Sequence, residues 1–321
     1  MRRMPLTFFS FVMGTSGVSI MLFQASEYWG LPQAPAVAAW LVAVGLWLWL
    51  ALTHVVHVRA SIRALSRELR DENTGVFAAL SLMSLILITI TLERIAPTAA
   101  HVIWAFAAMG QFLLGAWIYS RWITKEIDVS NISGAWLLPP TSGNLVAAVG
   151  AATFGYDTMA IVLIGAGFLS WIFVNATITN RQITHRTLLN PDQRPASFIQ
   201  LNPPVLTVNA ILPALSATPN VVEYGLWGYA IFLFAILLFT LPDLARIPFG
   251  AYWWSATFPV AAFALATIRL AQYGSDPVSP VLAPLLALLA IGLLLWVGVM
   301  TVISARRHTL VPSIPSRGTP R

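Results

Sequence analysis

The chain is predicted to be an all-α integral membrane protein with ten transmembrane helices paired as five hairpins. Three observations carry this reading. The composition is 58% hydrophobic and only 9% charged, with a mean hydropathy of +0.76, whereas a soluble domain carries roughly 25% charged residues. Apolar windows recur along the whole chain at close to the ~20 residues that a spanning helix needs. All but two of the 18 Lys and Arg residues fall on alternate connections between those windows, which is how a polytopic protein fixes its orientation.

Taken in order, the first window, Leu6–Phe23, holds Gly14-Thr15-Ser16-Gly17 and Ser19, and the second, Ala34–Val56, is apolar all round, as in Leu46-Trp47-Leu48-Trp49-Leu50. The third, Val76–Leu92, carries Ser81, Ser84, Thr89 and Thr91, and the fourth, Ala99–Ile118, returns as an aliphatic and aromatic helix. The fifth, Ala135–Phe154, is interrupted by Pro139-Pro140-Thr141-Ser142-Gly143-Asn144, and the sixth, Met159–Thr179, is again mostly apolar. The seventh, Pro203–Thr218, is short and broken by Pro203-Pro204 and Pro213, with Thr207, Asn209 and Ser216. The eighth is Tyr224–Leu241. The ninth, Phe249–Ile268, holds Ser255, Thr257 and Pro259, and the tenth is the Leu- and Ala-rich Ser279–Ser304. Odd windows thus carry small and hydroxyl residues and most of the helix-breaking prolines, and even windows are mostly apolar. A helix apolar on every side can face lipid, but polar or broken backbone at membrane depth must face protein or water. The pattern predicts odd helices inside, lining a pore, and even helices outside. Small residues that merely permit close helix packing are the alternative for any single window.

Arg2, Arg3, Arg59, Arg63, Arg67, Arg70, Arg121, Lys125, Arg181, Arg186, Arg194, Arg246, Arg306, Arg307, Arg317 and Arg321 share one side, and Arg94 and Arg269 the other. The crowded side is therefore cytoplasmic and holds both termini. The outer connections each carry one acid: Glu27, Glu93, Asp157, Glu223 and Asp276. The domain reading is a cytoplasmic N-terminus at 1–5, a membrane domain at 6–304, and a basic disordered tail at 305–321. Met1-Arg2-Arg3 followed by an apolar run also suits a cleaved signal peptide, which would leave the other nine spans oriented the same way; the motif within this span keeps it as the first helix, with no cleavage expected near Ala25.

Aromatic residues gather at span ends, among them Tyr28-Trp29, Trp117, Trp122, Trp136, Trp227 and Tyr252-Trp253-Trp254, and read as an interfacial belt. Arg59, Arg63, Arg67 and Arg70 share one face if the second helix continues into the cytoplasm. A headgroup-facing surface and an electrostatic funnel for anions are both open uses of that face. With no cysteine there is no disulfide, thiolate ligand or cysteine nucleophile. His54 and His57 lack an opposed histidine pair, so neither metal nor any other cofactor is expected. The +6 charge serves topology, and no nucleic-acid partner is expected. An integral-membrane prenyltransferase is a distant alternative, since Asp71-Glu72 is the only adjacent acidic pair available to hold a metal-bound diphosphate. The chain reads as a non-enzyme.

Tyr252-Trp253-Trp254-Ser255-Ala256-Thr257-Phe258-Pro259 resembles the signature helix of the tellurite-resistance/dicarboxylate transporter family, which includes bacterial TehA and the slow anion channels of plant guard cells. Ser10-Phe11-Val12-Met13-Gly14 resembles the family's opening segment, Leu138-Pro139 through Asn144 with Gly155-Tyr156-Asp157 its fifth and sixth helices, and Leu226-Trp227-Gly228-Tyr229 the start of its eighth. The resemblance implies a homotrimer in the bacterial inner membrane, each subunit with its own pore for small anions such as nitrate and chloride. It also implies that Phe258 plugs that pore. A bulky apolar ring suits a gate because it can dewet a narrow path and has only two χ angles to move; a Phe packed in the bundle core is the alternative. Pro259 lacks an N–H and loosens the helix beside it. Phe11, Gly14, Thr15, Ser81, Thr141, Asn144, Asn209 and Thr257 are pore-lining candidates, with Leu145 and Leu206 where some relatives have further pore aromatics. No Asp, Glu or His sits mid-window, which disfavours proton-coupled transport. Diffuse attraction by the basic rim, helix N–H groups and hydroxyls points instead to a channel or passive transporter. A transporter of C4-dicarboxylates, sulfite or tellurite-related oxyanions is the second reading within the same family.

Orientation is tested by cysteine labelling, since the chain has no native cysteine. A cysteine replacing Asp157 is expected to label from outside and one replacing Arg186 only from inside; the reverse pattern overturns the topology.

Overall fold

The structure is a computed structural model that describes residues 4–60, 62–185, 191–215 and 218–307. The expectations for Arg2, Arg3, Arg186, Ser216 and the tail from 308 onward lie outside the described residues, as do the side chains of His57, Arg59 and Arg63. All regular elements among the described residues are helical: α1 (Phe9–Trp29), α2 (Ala34–Ala60), α3 (Ile62–Arg70), α4 (Ala79–Leu92), α5 (Pro97–Thr124), α6 (Gly143–Thr153), α7 (Asp157–Thr184), α8 (Asn202–Leu215), α9 (Val221–Leu244), α10 (Thr257–Tyr273) and α11 (Ser279–Arg306). Nine spans among the described residues are long and apolar enough to cross a membrane. The remaining expected window, Ala135–Phe154, is composite. A 3-10 turn (Gly134–Leu137), a π turn (Leu138–Ser142) and the short α6 follow one another. The consecutive prolines 139 and 140 remove two N–H donors and prevent one continuous α-helix there.

Burial separates the helices into two sets. In the inner spans built on α1, α4, α8 and α10, 78–94% of the central residues are buried; in the outer α2, α5, α7, α9 and α11 the share is 17–33%. Residues 143–152 of α6 are all buried. The inner helices touch in the cyclic order α1, α4, α6, α8, α10 and back to α1, so they form a closed ring. Each outer helix packs against its hairpin partner and against the next inner helix around the ring, α2 on α4, α5 on α6, α7 on α8, α9 on α10 and α11 on α1. The alternation read from the sequence is thus an inner and an outer layer.

Each inner element begins with a non-α segment on the basic side. Leu6–Phe8 precedes α1, Gly75–Ala78 precedes α4, the composite turns precede α6, Pro191–Leu201 precedes α8, and Ala251–Ala256 precedes α10. The seventh window is therefore longer than its sequence suggested: Pro191–Leu201 extends α8 into a 25-residue span. Pro203-Pro204 and Pro259 fall in the first turns of α8 and α10, where a missing N–H costs no helix hydrogen bond.

Irregular backbone at this depth is satisfied by side chains. Gln111 of α5 donates to the Pro139 carbonyl at 3.0 Å, Asn144 donates to the Pro140 carbonyl at 2.7 Å, and the Thr207 hydroxyl donates to the Pro203 carbonyl at 2.7 Å. Outer-helix tryptophans bind the inner ring in the same way. Trp40 and Trp47 donate to the Ile88 and Ser81 carbonyls of α4, Trp104 donates to the Ala147 carbonyl of α6, and Trp227 donates to the Thr267 hydroxyl of α10. Trp227, read from sequence as an interfacial residue, is instead buried.

The outer connections are fixed by caps. Gly30 (φ +67°) and Gly155 (φ +74°) turn the chain after α1 and α6 through the left-handed region. Asn220 and Glu223 form a reciprocal capping box on α9. Asp276 accepts hydrogen bonds from Val278 N, Ser279 N and the Ser279 hydroxyl at the start of α11. Burial there opposes ionisation of Asp276, but these bonds and one from Tyr224 outweigh it and hold the carboxyl below the usual carboxylate range.

A close approach at Gly115 seats α5 on the π turn. A Cβ at this position would lie 2.7 Å from the Pro139 carbonyl oxygen and 3.3 Å from Pro140 Cα, backbone atoms that cannot swing aside. Gly115→Ala is expected to lower stability by about 1–3 kcal/mol, the usual cost of overpacking, read as a lower thermal midpoint in detergent. An unchanged midpoint would show that α5 is free to shift.

Candidate functional site

Two cavities lie at opposite ends of the inner ring. The first, on the basic side, is lined by Ser10 and Met13 of α1, Phe77 and Leu80 at the start of α4, Leu138, Ile199 and Asn202 at the start of α8, and Trp254, Ser255, Phe258 and Pro259 at the start of α10. Each of the five inner elements contributes to this wall. Its volume is only about 20 Å³, room for about one water molecule. The second, at the outer end, is about 310 Å³ and is lined by Ile20, Phe23, Gln24, Ile90, Thr91, Glu93, Arg94, Thr153 and Arg269. Phe258 stands at the narrow cavity, and the helical rise puts Arg269 ~16 Å further along α10.

Phe258 is 4% exposed and lies across α1. A Cβ on Gly17 would come within 2.6 Å of Phe258 Cδ2 and 3.6 Å of the Ala261 Cβ. One turn earlier Gly14 receives Thr257 and Trp254 in the same way. The two glycines, four positions in a row with Thr15 and Ser16 between them, let α10 approach α1 closely enough for the ring to reach inward. The Thr257 hydroxyl donates to the Trp254 carbonyl at 2.8 Å, inside its own element.

The other sequence candidates are placed as follows. Phe11 stacks between Phe8 (4.8 Å) and Trp254 (4.5 Å) at the basic-side end of α1. The Thr15 hydroxyl donates to the Phe11 carbonyl at 2.7 Å. Ser81 borders a groove with Trp47, His54 and Leu114, on the outer side of α4. Leu145 is fully buried against α7, where a Cβ on Gly167 would meet its Cγ at 2.7 Å. Leu206 is buried in α8. Thr141 Oγ1, Asn144 Oδ1 and Asn209 Oδ1 are buried without hydrogen-bond partners. Only Phe258 and Pro259 of the named candidates line the narrow cavity; its other walls come from Ser10, Met13, Leu80, Asn202 and their neighbours.

Arg269 is the residue whose position the sequence misjudged. Counted among the outer connections, it lies inside α10 and is 8% exposed. The helix continues to Tyr273, beyond the Ile268 end of the window. The guanidinium lines the outer cavity and is held by neutral groups: Nη1 donates to the Asn209 carbonyl at 2.5 Å and Nε donates to Gln24 Oε1 at 3.3 Å. Arg94, by contrast, pairs with Glu27 at 2.5 Å. Among the described residues Arg269 forms no ion pair, and it shares the outer cavity with Glu93 and Arg94. No cluster of His, Asp and Glu able to hold a metal occurs among the described residues.

A closed ring of five inner helices with a cavity at each end, shielded by an outer layer of mostly apolar helices, has the architecture of a membrane transport protein. Residues 3–302 match the SLAC1 family, described as voltage-dependent anion channel, and the chain belongs to that family. It is 22% identical over 262 residues to a tellurite resistance protein TehA homolog of Haemophilus influenzae, covering 81% of this chain and 79% of that protein. It is 23% identical to the S-type anion channel SLAH3 and 22% identical to the guard cell S-type anion channel SLAC1, both of Arabidopsis thaliana, covering 94% and 84% of this chain. The aligned region spans only about half the length of these two plant relatives, 48% and 50%.

If Arg269 draws anions into the outer cavity, Arg269→Gln is expected to lower anion current roughly 2- to 10-fold at low salt. The difference should shrink near 1 M salt, where the screening length falls to about 3 Å. Equal currents at low salt would show that Arg269 serves only to brace α8 against α10.

Proposed function

We propose that the protein is an anion channel or passive anion transporter of the bacterial inner membrane, conducting small monovalent anions through one pore per subunit. The observation that carries this reading is the placement of Phe258 at the narrow cavity on the axis of the inner ring, its ring received by Gly17. Such a ring closes a path by excluding water rather than by charge. The walls support weak anion attraction. All five inner elements point their N-terminal, partially positive ends toward the basic side, and Arg269 stands at the other end, held by the Asn209 carbonyl and Gln24 in a cavity that Glu93 and Arg94 also line. The 16 cytoplasmic-side Lys and Arg of the total of 18 favour both termini inside.

Selectivity in such a path follows dehydration cost, so nitrate is expected to pass more readily than chloride. Transport of C4-dicarboxylates or of sulfite- or tellurite-related oxyanions is the second reading, favoured by the likeness to a TehA homolog.

The test is recording from purified protein in planar bilayers under a chloride, nitrate and malate series. Phe258→Ala is expected to give folded protein with severalfold larger current, while Phe258→Leu stays nearly closed because it still fills the path. If Phe258 is only core, truncation removes a buried ring at a cost of roughly 3–5 kcal/mol, so yield and thermal midpoint fall and current does not rise. Saturation by malate with steep pH dependence would favour the carrier reading.

A homotrimer rests on the family resemblance. Native mass measurement of the complex is expected to give three copies, and a monomer under mild conditions would count against it.

A further inference from the structure

Away from the axis, a groove opens between α7, α9 and the 3-10 segment Pro191–Leu201. Its volume is about 510 Å³. Its cytoplasmic end is polar, with Arg181 and Gln182 from the last turns of α7 and Arg194, Ser197 and Gln200 from the 3-10 segment. The spacing of three places Arg194, Ser197 and Gln200 on one face, because a 3-10 helix repeats every three residues. The remaining wall is α9, with Leu233, Ile236, Leu237 and Leu244 interrupted by Thr240 and Asp243 toward the cytoplasmic end and Phe239, 88% exposed, at its edge.

Arg181 is the anomaly. It is 2% exposed, its Nε has no hydrogen-bond partner, and it forms no ion pair among the described residues. Asp243 is the one acid in the groove, and it faces Arg246 of its own helix at 3.8 Å. A guanidinium buried beside hydrocarbon without a counter-charge is costly. The cost is relieved by an anion that reaches it from the groove.

We propose that this groove binds one anionic phospholipid of the cytoplasmic leaflet, its phosphate on Arg181 and Arg194 and an acyl chain along α9. The choice of a lipid over a free anion rests on shape. From Leu244 to Leu233 this wall runs ~16 Å at 1.5 Å per residue, about the depth of one leaflet of a ~30 Å hydrocarbon core. A soluble phosphate has no use for that wall. The polar end lies on the side that the charge distribution assigns to the cytoplasm, where anionic lipids meet basic pockets between helices. The site is separate from the axial path, so it stands or falls independently of the transport reading.

Native mass spectrometry of the full chain in detergent, titrated with phosphatidylglycerol, phosphatidylcholine or inorganic phosphate, tests this. The expected result is one retained phosphatidylglycerol per subunit, displaced by neither phosphatidylcholine nor phosphate, and a rise in thermal midpoint on adding it. Arg181→Gln and Arg194→Gln are each expected to weaken retention roughly tenfold. Leu237→Trp, which fills the groove and keeps both arginines, is expected to abolish it. Should Arg181→Gln fail to fold, Arg194→Gln and Leu237→Trp decide the matter.

Equal retention of phosphatidylcholine, or retention unchanged in those two variants, overturns the proposal. So does an equal thermal shift with phosphate alone, which would make this a small-anion site. Efficient disulfide formation between subunits through Phe239→Cys would show that a second copy of the chain fills the groove, and overturns it as well.

Discussion

Inside a bilayer every backbone N–H and C=O needs a partner within the protein, and this constraint shapes the whole molecule. A path through the membrane requires polar, bent or loosely wound helix segments, and such segments cannot touch lipid. The chain resolves the conflict with two layers. The inner elements carry the 3-10 entries, the π turn and the paired prolines, and the outer helices are mostly apolar. Where the inner backbone departs from α geometry, a neighbouring side chain supplies the missing bond. Gln111 reaches the Pro139 carbonyl from α5, and Asn144 reaches that of Pro140 from one turn ahead. The outer layer is therefore a source of donors as well as insulation, and its tryptophan N–H groups repeat the same role on α4 and α6.

Close packing of the inner ring follows from small residues at the contacts. Gly14 and Gly17 on α1 receive Thr257 and Phe258 of α10, and Gly167 on α7 receives Leu145 of α6. At Gly17 this packing sets the Phe258 ring beside the narrow cavity that all five inner elements line.

The few buried charges are handled in two ways. Arg269 is held by the carbonyl of Asn209 and the amide of Gln24, dipoles that bear the guanidinium without cancelling its charge. Arg181 Nε has no hydrogen-bond partner among the described residues, and the side chain borders an open groove. In an interior of low dielectric, neutral donors and acceptors bear a buried charge without cancelling it, whereas a charge that lacks them is costly to bury.

The sequence by itself determined the class, the alternation of two kinds of helix and the charge asymmetry, because these rest on composition and on runs of about 20 residues, which hydrophobicity dictates locally. The family motif likewise marked Phe258 and Pro259, both of which line the narrow cavity. Which side of an inner helix faces the axis was not legible. Ser81 and Leu145 carried no periodic signal, since inner helices are buried on nearly every face and show no amphipathic stripe. Pro191–Leu201 read as a loop because a 3-10 helix lacks the apolar 3.6-residue period, and it became the start of a span only when packed against its neighbours. Arg269 looked like an outer-loop charge because the window ended one residue before it. Only tertiary packing, which brings Asn209 and Gln24 from two other helices, decided that it is buried on the axis.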